Sequence, residues 1–344
     1  MMLKDVKGLG PKSLQKLQEA GILTLEALAI QDPKVMAERS GLPESTGNRF
    51  ITEARLMLKE KMALDFVPGS IAAKVLDVPT FSSGIASLDK ILGGGLRSGA
   101  IYEFVGPARS GKTSVCSQCC VTVQLPPDGR TIQIGKDEEY TVRGRGGSAI
   151  WLDTEKTFRP DRVARIAERF GLDPKIAVES ISYVKVVNAH HLRWLIEERL
   201  PFVLDATNAK LIVVDSLIRH FGAEFIGRET LARRQQIISR LLQLLIEYAD
   251  AYEACVICTN QVRANPSPYG SPTKEAGGNI LAYGSTYRIR LRPIKGEERR
   301  ATIRDAPDLP EEEATYYLTD IGLIDKNGLG TLTSTNTIEN GETN

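Results

Sequence analysis

The sequence predicts an α/β protein in two parts: a core built on a mostly parallel sheet, plus a small all-helical N-terminal domain. From residue 80 onward, short apolar strands alternate with helical segments, a succession typical of parallel strands joined by crossover helices. Residues 1–61 show helical periodicity without strands. A length of 344 residues is enough for two such domains.

The N-terminal domain, residues 1–61, is predicted to be a compact set of short helices. Pro11 suits the first turn of a helix, and Gly21 suits its end. The turn that holds Gly8 and Gly10 resembles the hairpin of helix-hairpin-helix domains, in which backbone N–H groups bind a DNA phosphate. A Gly-Pro turn is also common as a plain connection between helices, so this motif alone leaves both interpretations open.

Residues 62–79 are predicted to be a linker, because Pro68 and Gly69 interrupt any helix.

The core is assigned to residues 80–326. Its predicted strands are residues 100–106, 149–153, 211–215 and 254–259, and its predicted helices are residues 112–124, 159–170 and 230–249. Three later strands follow one another without helices, which predicts antiparallel pairing at one end of the sheet. Residues 327–344 are rich in Gly, Thr, Asn and Ser and are predicted to be a disordered tail.

The composition is that of a globular protein. Lys and Arg total 44, Asp and Glu total 43, and the formal net charge is +1. Any surface that binds nucleic acid must therefore be local, because the whole chain carries no basic excess. No stretch approaches the roughly 18 uncharged apolar residues of a membrane span, and the N-terminus has no secretion signal. We therefore expect a protein of the reducing cytoplasm that has no membrane partner.

The five cysteines allow two interpretations. Cys116 with Cys119, and Cys255 with Cys258, have the C-x-x-C spacing of zinc ligands, and Cys120 is left over. Both pairs lie in apolar runs that lack turn residues to wrap a metal. The favoured interpretation is that all five are small buried hydrophobic residues.

A glycine-rich loop follows the first long strand of the core. Residues 106–113, GPARSGKT, fit the pattern G-x-x-x-x-G-K-[ST] and stand directly between a strand and a helix. In such a loop the backbone N–H groups cradle phosphates, Lys112 reaches the outer phosphates and the Thr113 hydroxyl ligates Mg²⁺. Asp215, at the end of an apolar strand, is the second predicted Mg²⁺ residue. The predicted ATP-binding residues of the loop are Gly106, Pro107, Ala108, Arg109, Ser110, Gly111, Lys112, Thr113 and Ser114.

ATP hydrolysis also requires a group that orients or deprotonates water. Asp153 and Glu155 follow one another at the end of the strand AIWLDTE, and ligands of parallel sheets gather at the carboxyl ends of strands. Spacing alone does not choose between the two carboxylates. The pattern favours Glu155, because Asp153 still belongs to the strand while Glu155 has entered the loop.

Taken together, the motifs resemble the archaeal RadA recombinases, a branch of the RecA-like strand-exchange family. The resemblance covers the chain from the N-terminal module to about Asp325 and is carried by GPARSGKT, WLDTEKTFRPDRV, LIVVDSLIRHFGAEFIGRE, CTNQV, GGNILA and RDAPDLP. It implies a RecA-like core and an ATP-dependent filament on single-stranded DNA that exchanges strands with a homologous duplex. The implied partners are single- and double-stranded DNA, further copies of the chain and recombination mediators, at a nucleoid-associated cytoplasmic location.

The resemblance also implies roles for residues of the nucleotide site. Glu155 falls on the water-activating glutamate, and Gln261 falls on the residue that links the γ-phosphate to the second DNA-binding loop. Lys112 joins them as a catalytic residue. Arg162 falls on the arginine that stacks on adenine, a role suited to a planar guanidinium. Asp305 and Pro307 match the cap that a neighbouring subunit lays over ATP. The ATPase site is thus expected to be completed between subunits.

Two DNA loops and a polymerisation motif are implied in the same way. The first loop spans residues 222–230 and the second spans residues 262–278, whose prolines predict irregular structure. The implied DNA-binding residues are Arg228, Arg234, Arg263, Gly277 and Gly278, together with Gly8 and Gly10. Phe66 and Gly69 lie in a linker motif whose phenylalanine enters a pocket of the adjacent subunit. A phenylalanine anchored on its own domain is the alternative.

One feature of the strand 286–292 suits DNA independently of the resemblance. Its alternation places Arg288, Arg290 and Arg292 on one face and apolar residues on the other. A solvated face is the usual interpretation of such a row. Its position just after the second loop favours phosphate or a neighbouring subunit instead.

The sequence departs from the family at four places. Residues 107–109 are Pro-Ala-Arg where Glu-Phe-Gly is usual, and Glu229 replaces a glycine and adds an anion to a DNA loop. Tyr283 stands at the position of a histidine that senses the γ-phosphate. Residues 128–147 form an insertion, predicted to be an exposed hairpin that offers a surface to a partner.

These features favour a DNA-dependent ATPase that performs homologous pairing and strand exchange in recombinational repair. Glu229 and Tyr283 favour a second hypothesis, a paralogue that binds ATP and DNA and regulates the true recombinase. The N-terminal module and Phe66 argue against that paralogue. A third hypothesis, a RecA-like ATPase that acts on protein, conflicts with Arg228 and the RDAPDLP segment.

Overall fold

The fold was analysed in a computed structural model of the chain. The structure describes residues 2–59, 66, 68–71, 77–225, 227, 229–264, 273–276 and 279–328, and only the backbone of Arg263, Ala264, Thr273, Lys274 and Asn279. The predicted tail beyond residue 328 and most of the predicted linker lie outside the described residues. Within the linker, residues 69–71 form a helical turn.

The N-terminal part is all helical, as predicted. A short 3₁₀ turn precedes four helices: α1 (Pro11–Glu19), α2 (Leu25–Ala29), α3 (Pro33–Ser40) and α4 (Glu44–Leu58). Pro11 begins α1, and Asp32 caps α3 by accepting hydrogen bonds from the backbone N–H groups of Lys34 and Val35. The helices enclose a core of their own that includes Leu17, Leu28, Met36, Phe50 and Ile51.

The second part is built on one large sheet. The strands of this part are β1 (Thr80–Phe81), β2 (Leu96–Arg97), β3 (Ile101–Gly106), β4 (Arg130–Gly135), β5 (Glu138–Val142), β6 (Ser148–Asp153), β7 (Ile181–Lys185), β8 (Ala209–Asp215), β9 (Cys255–Ala264), β10 (Thr273–Glu275), β11 (Tyr287–Pro293), β12 (Glu298–Asp305), β13 (Glu313–Thr319) and β14 (Gly322–Asp325). Outside the large sheet, β1 pairs with β2 and β4 pairs with β5. The order in the large sheet is β14-β13-β12-β11-β3-β9-β8-β6-β7, and β10 pairs with β9. Neighbours from β11 to β7 are parallel, whereas β11 to β14 are antiparallel. The fold class and the antiparallel end are confirmed.

Helices cover both faces of the sheet. They are α5 (Ala86–Ile91), α6 (Lys112–Thr122), α7 (Pro160–Arg169), α8 (Pro174–Glu179), α9 (Ala189–Trp194), α10 (Leu200–Ala206), α11 (Arg219–Glu224), α12 (Leu231–Ala251) and α13 (Asn279–Gly284). Along β6, Trp151 packs into the core on the α6 and α7 face, and Ile150 and Leu152 pack into the core on the α12 face. Burial on both faces explains why these strands are continuously apolar. All five cysteines are buried free thiols, as the favoured interpretation expects.

The strand register sets the place of the site. Gly106 of β3 lies level with Gln261 of β9, and Asp153 of β6 lies level with Asp215 of β8. Because these strands are parallel, the four carboxyl ends meet at one edge of the sheet. This edge therefore holds every residue that the sequence assigned to phosphate, Mg²⁺ and water.

The insertion at residues 128–147 is the predicted hairpin, formed by β4 and β5. It is anchored more firmly than an exposed hairpin would be, since Ile134 and Val142 are buried. The Tyr140 hydroxyl donates a hydrogen bond to Asp89 Oδ2 at 2.7 Å, and the backbone N–H of Ser83 donates to Asp89 Oδ1 at 2.7 Å. Burial raises the pKa of Asp89 to about 7, against the opposing effect of these hydrogen bonds.

Among the described residues, no helix combines the length and the apolar character that crossing a membrane requires.

Asp89 predicts a pH dependence of stability. Between its ordinary pKa of 3.8 and about 7, folded Asp89 holds a proton that the unfolded chain releases, so the free energy of unfolding falls as pH rises through that window. The Asp89→Asn variant has no titratable group at this position. We expect the unfolding free energy of wild type minus that of Asp89→Asn to fall between about pH 4 and about pH 7, measured by urea denaturation. A difference independent of pH would contradict this prediction.

Candidate nucleotide-binding and hydrolysis site

The phosphate loop joins β3 to α6, where the sequence predicted it. Gly106 ends β3, and a Cβ at this position would lie 2.3 Å from the carbonyl oxygen of Leu291, so no larger residue fits. Gly111 adopts φ +95° immediately before α6, a conformation that favours glycine. The two glycines thus let the loop turn tightly and present backbone N–H groups at a helix N-terminus, the arrangement that binds anions.

Lys112 lies folded against this loop. Its Nζ donates hydrogen bonds to the carbonyl oxygens of Gly106 and Pro107, each at 2.9 Å. Burial lowers the pKa of the ammonium, and the carboxylates of Glu155 and Asp215 oppose that shift. Pro107 is half-buried, and Ala108 and Arg109 are exposed, so the unusual loop residues leave the two glycines and Lys112 in place.

Asp215 is buried and surrounded by hydroxyl donors. Its Oδ2 accepts hydrogen bonds from Thr113 Oγ1 at 2.8 Å and Thr157 Oγ1 at 2.9 Å, and its Oδ1 accepts from Thr259 Oγ1. Burial raises the pKa of the Asp215 carboxyl, and the hydroxyl bonds oppose that shift. A threonine hydroxyl held against a carboxylate beside the phosphate loop is a hard oxygen donor set that suits Mg²⁺. The residues present therefore fit the predicted metal.

Glu155 lies at the centre of a second cluster. Its Oε1 accepts hydrogen bonds from Gln261 Nε2 at 2.6 Å and Ser216 Oγ at 3.0 Å, and Arg219 Nη1 lies 3.9 Å away. These partners come from the ends of β8 and β9 and the start of α11. The structure thus brings together Glu155 and Gln261, which the sequence named, with Ser216 and Arg219, which it missed.

Asp153 has a different, structural task. Its carboxylate accepts hydrogen bonds from the backbone N–H groups of Glu155, Thr157 and Phe158, and it is almost fully buried. Asp153 therefore shapes the loop that presents Glu155. This arrangement favours Glu155 over Asp153 as the group that acts on water.

A buried polar network connects this edge to the end of the second predicted DNA loop. Asn260 Nδ2 donates to Glu103 Oε1 at 2.7 Å and to the carbonyl oxygen of Ala276 at 2.9 Å. Arg288 Nε donates to Glu103 Oε2 at 2.7 Å, and Arg288 Nη2 also contacts Glu275. Burial raises the pKa of Glu103 although Arg288 and Asn260 lower it. The expectation that the arginine row faces phosphate or a neighbouring subunit is therefore wrong for Arg288, whose side chain is 13% exposed and holds two carboxylates of its own chain.

The predicted cap residues Asp305 and Pro307 and the predicted adenine-binding Arg162 make no described hydrogen bond to the phosphate loop. Arg162, on α7, donates from Nη2 to the carbonyl oxygen of Thr319 at 3.3 Å, and its buried Nε has no hydrogen-bond partner within the described residues. Asp305 lies level with Arg288, at the end of β12 that points away from Gly106. Asp305 and Pro307 are exposed, so the structure does not bring them to the phosphate loop of the same chain.

The two predicted DNA loops are more regular than expected. Gly222 lies inside α11, so the first loop is shorter than residues 222–230. In the second, β9 continues to Ala264 and β10 pairs with it, whereas irregular structure was predicted. Arg228, Gly277 and Gly278 lie outside the described residues, as does the side chain of Arg263. Arg234, in the first turn of α12, has a buried Nε without a hydrogen-bond partner in the described part of the chain.

The remaining predicted residues lie at the surface. Gly8 and Gly10 are exposed in the turn before α1, and Gly8 has φ +80°. Phe66 is fully exposed, and Gly69 starts the helical turn at residues 69–71. Tyr283, on α13, is 85% exposed.

Sequence reasoning missed several partners around the site. Thr157 and Ser216 lie inside the motifs that hold Glu155 and Asp215, so their position was a usable signal. Arg219 lies in the second of these motifs, but no spacing rule points it at Glu155. The buried pair of Glu103 and Arg288 joins strands 185 residues apart in sequence, which no local pattern reveals.

The chain is similar to known proteins over nearly its whole length. The sequence profile of the Rad51 family matches residues 74–326, and the profile described as a SAM-like helix-hairpin-helix tandem matches residues 1–56. Relatives named "DNA repair and recombination protein RadA" are 37% identical in Aeropyrum pernix, covering 94% of this chain and 96% of the relative, and 37% identical in Metallosphaera sedula, covering 94% and 95%. A relative of the same name in Ignicoccus hospitalis is 38% identical, covering 93% and 94%.

The buried network predicts unequal effects of two arginine substitutions. Arg288→Ala leaves Glu103 buried without its cation, and we expect the unfolding free energy to fall by about 3 kcal/mol at neutral pH. Arg304→Ala, the matched control, breaks an ion pair with Glu311 whose side chains are 43% and 66% exposed, and we expect a loss below about 1 kcal/mol. Urea denaturation measures both. Equal losses would show that the Glu103 carboxylate does not depend on Arg288.

Proposed function

Because this chain belongs to the Rad51 family, we propose that it is a DNA recombinase that binds and hydrolyses ATP while it pairs single-stranded DNA with a homologous duplex. Support comes from the RadA relatives, which match both the helical domain and the sheet domain. The hydrogen bond between Glu155 and Gln261 carries the proposal within the structure, because it ties the candidate hydrolytic group to the strand that enters the second DNA loop.

The phosphates of ATP are proposed to lie on the loop between Gly106 and Thr113. The helix N-terminus and Lys112 supply positive charge there, and Lys112 exchanges its bonds to the loop carbonyls for phosphate oxygens. Thr113 and Asp215 are the residues that would hold Mg²⁺, which when bound offsets negative charge on the phosphates. Asp305 and Pro307 of a neighbouring copy would cover the nucleotide, and Arg162 would stack on adenine.

Glu155 is proposed to orient the attacking water and take its proton. The water oxygen forms a bond to the γ-phosphorus while the bond from that phosphorus to the bridging oxygen of ADP breaks, giving ADP and inorganic phosphate. Gln261 and Ser216 hold the carboxylate in place by their hydrogen bonds to Oε1. Gln261 directly precedes the second predicted DNA loop, residues 262–278, which is called loop 2 below. Because Gln261 is bonded to Glu155, a change in loop 2 alters the position of Glu155.

DNA binding is proposed to depend on ATP and on neighbouring copies. The net charge of +1 gives one chain little general attraction for phosphates, so local cations must be aligned to bind DNA. Arg234 and the turn at Gly8 and Gly10 are the described candidates. Self-assembly through Phe66 would place several such sites along one strand, which raises the overall affinity.

Substitution of the two neighbouring carboxylates separates catalysis from folding. Glu155→Gln keeps the acceptor for Gln261 but is a poor base, so we expect ATP turnover to fall by at least about 100-fold with the unfolding free energy unchanged. Asp153→Asn weakens the three backbone hydrogen bonds of the loop and should lower the unfolding free energy. For both variants, a phosphate-release assay measures ATP turnover and urea denaturation measures the unfolding free energy. A Glu155→Gln variant with wild-type turnover would rule out the assigned base.

The function itself is tested by strand exchange with the purified protein. We expect joint molecules from circular single-stranded DNA and a homologous linear duplex when ATP and Mg²⁺ are present, and none when the duplex is unrelated in sequence. Lys112→Ala is the control that removes the phosphate-loop cation. If the protein binds DNA and ATP but forms no joint molecules alone, the recombinase proposal fails and the regulatory paralogue replaces it.

A further inference from the structure

Arg219 is a cation beside Glu155, the candidate hydrolytic group. The proposed mechanism gives Arg219 no role so far. This arginine is the first residue of α11 and follows Asp215, the end of β8, by four positions. Its Nη1 lies 3.9 Å from Glu155 Oε1. Because Gln261 and Ser216 already donate to this oxygen within 3.0 Å, Arg219 approaches as an ionic neighbour and not as a hydrogen-bond donor.

The position of Arg219 relative to the phosphate loop follows from Glu155. Gln261 of β9 donates a hydrogen bond to Glu155 and lies level with Gly106, the first residue of the phosphate loop. Glu155 and its ionic neighbour Arg219 therefore lie at the edge of the sheet that carries the phosphate loop. A γ-phosphate attacked by the water that Glu155 is proposed to orient would lie near the Arg219 guanidinium.

The side chain of Arg219 is half-exposed. It is 49% exposed, whereas that of Glu155 is only 16% exposed. The backbone of α11 is held, since Phe221 is buried and Glu224 accepts a hydrogen bond from the backbone N–H of Ala189 at 2.8 Å. A half-exposed planar guanidinium on an anchored backbone suits bidentate contact with phosphate oxygens.

Building on the proposed ATPase, we propose that Arg219 is a catalytic residue that leaves Glu155 and binds the γ-phosphate oxygens of ATP bound to the same chain. Its charge stabilises the γ-phosphoryl group while the bond to water forms and the bond to ADP breaks. Departure of the guanidinium also leaves Glu155 with its two neutral donors, Gln261 and Ser216, so the carboxylate is available to accept the proton of water.

Arg219 also lies next to the first predicted DNA loop, which is called loop 1 here. α11 runs directly into the first predicted DNA loop, as β9 runs into the second. Loop 1 therefore reaches the γ-phosphate through Arg219, and loop 2 reaches it through Gln261. DNA bound to both loops would thus act on two of the three partners of Glu155, namely Arg219 and Gln261.

The test compares two nucleotides that differ in the γ-phosphate. Calorimetry measures the Kd of ADP and of a non-hydrolysable ATP analogue with Mg²⁺, for the full-length wild type, Arg219→Ala and Arg219→Lys. For Arg219→Ala we expect ADP binding within about twofold of wild type, and analogue binding weaker by about tenfold or more. ATP turnover should fall by at least about 100-fold, with Arg219→Lys in between because it keeps the charge without the planar fork.

Arg193→Ala is the matched control, because Arg193 is also a half-exposed helical arginine and pairs with Glu197 at 2.8 Å. It should leave both Kd values and turnover at wild-type levels. If Arg219→Ala equals wild type in analogue binding and turnover while wild type hydrolyses ATP, the role of Arg219 is overturned and the proposed ATPase stands. If wild type binds neither nucleotide, the proposed function fails and the role of Arg219 falls with it. Equal weakening of ADP and analogue would indicate a structural role and overturn the proposal.

Discussion

The hydrogen bond between Gln261 and Glu155 is the contact on which the functional arrangement depends. It is possible only because β3, β9, β8 and β6 are neighbouring parallel strands whose carboxyl ends share one edge. Each strand then contributes one part of the site: the phosphate loop, Gln261, Asp215 and the loop that carries Glu155. The same strand that places Gln261 continues toward the second predicted DNA loop, so the proposed DNA binding and phosphate chemistry would meet at Glu155.

A buried ionic network fixes the geometry behind this contact. Glu103, three residues before the phosphate loop, is fully buried and is held by Asn260 and Arg288. Asn260 is also the residue before Gln261, and it binds the carbonyl oxygen of Ala276 on the far side of loop 2. A buried carboxylate is costly unless it is paired and hydrogen-bonded, so the network tolerates little displacement. The described ends of the second predicted DNA loop are therefore both held to β9, the strand beside the phosphate loop.

Much of this organisation could be predicted from the sequence, because it rests on local patterns. The alternation of apolar strands and helices identified the sheet, and the glycine-rich loop identified the edge where the site lies. Glu155 was separated from Asp153 by its place past the strand end. What local patterns could not supply are contacts that depend on strand order. Arg288 was interpreted as part of a basic face, yet the parallel pairing of β11 with β3 points it at Glu103. The approach of Arg219 to Glu155 likewise depends on β8 lying beside β6.

The central claim, that nucleotide state reaches DNA through Gln261, is tested most directly by the ratio of single-stranded DNA affinities. Fluorescence anisotropy at fixed salt gives the Kd for a labelled oligonucleotide with ADP and with a non-hydrolysable ATP analogue. The account predicts a wild-type ratio of about 10 or more in favour of the analogue, and a ratio near one for Gln261→Leu, which keeps the size of the side chain but not its hydrogen bond. A Gln261→Leu variant that retains the wild-type ratio would contradict it.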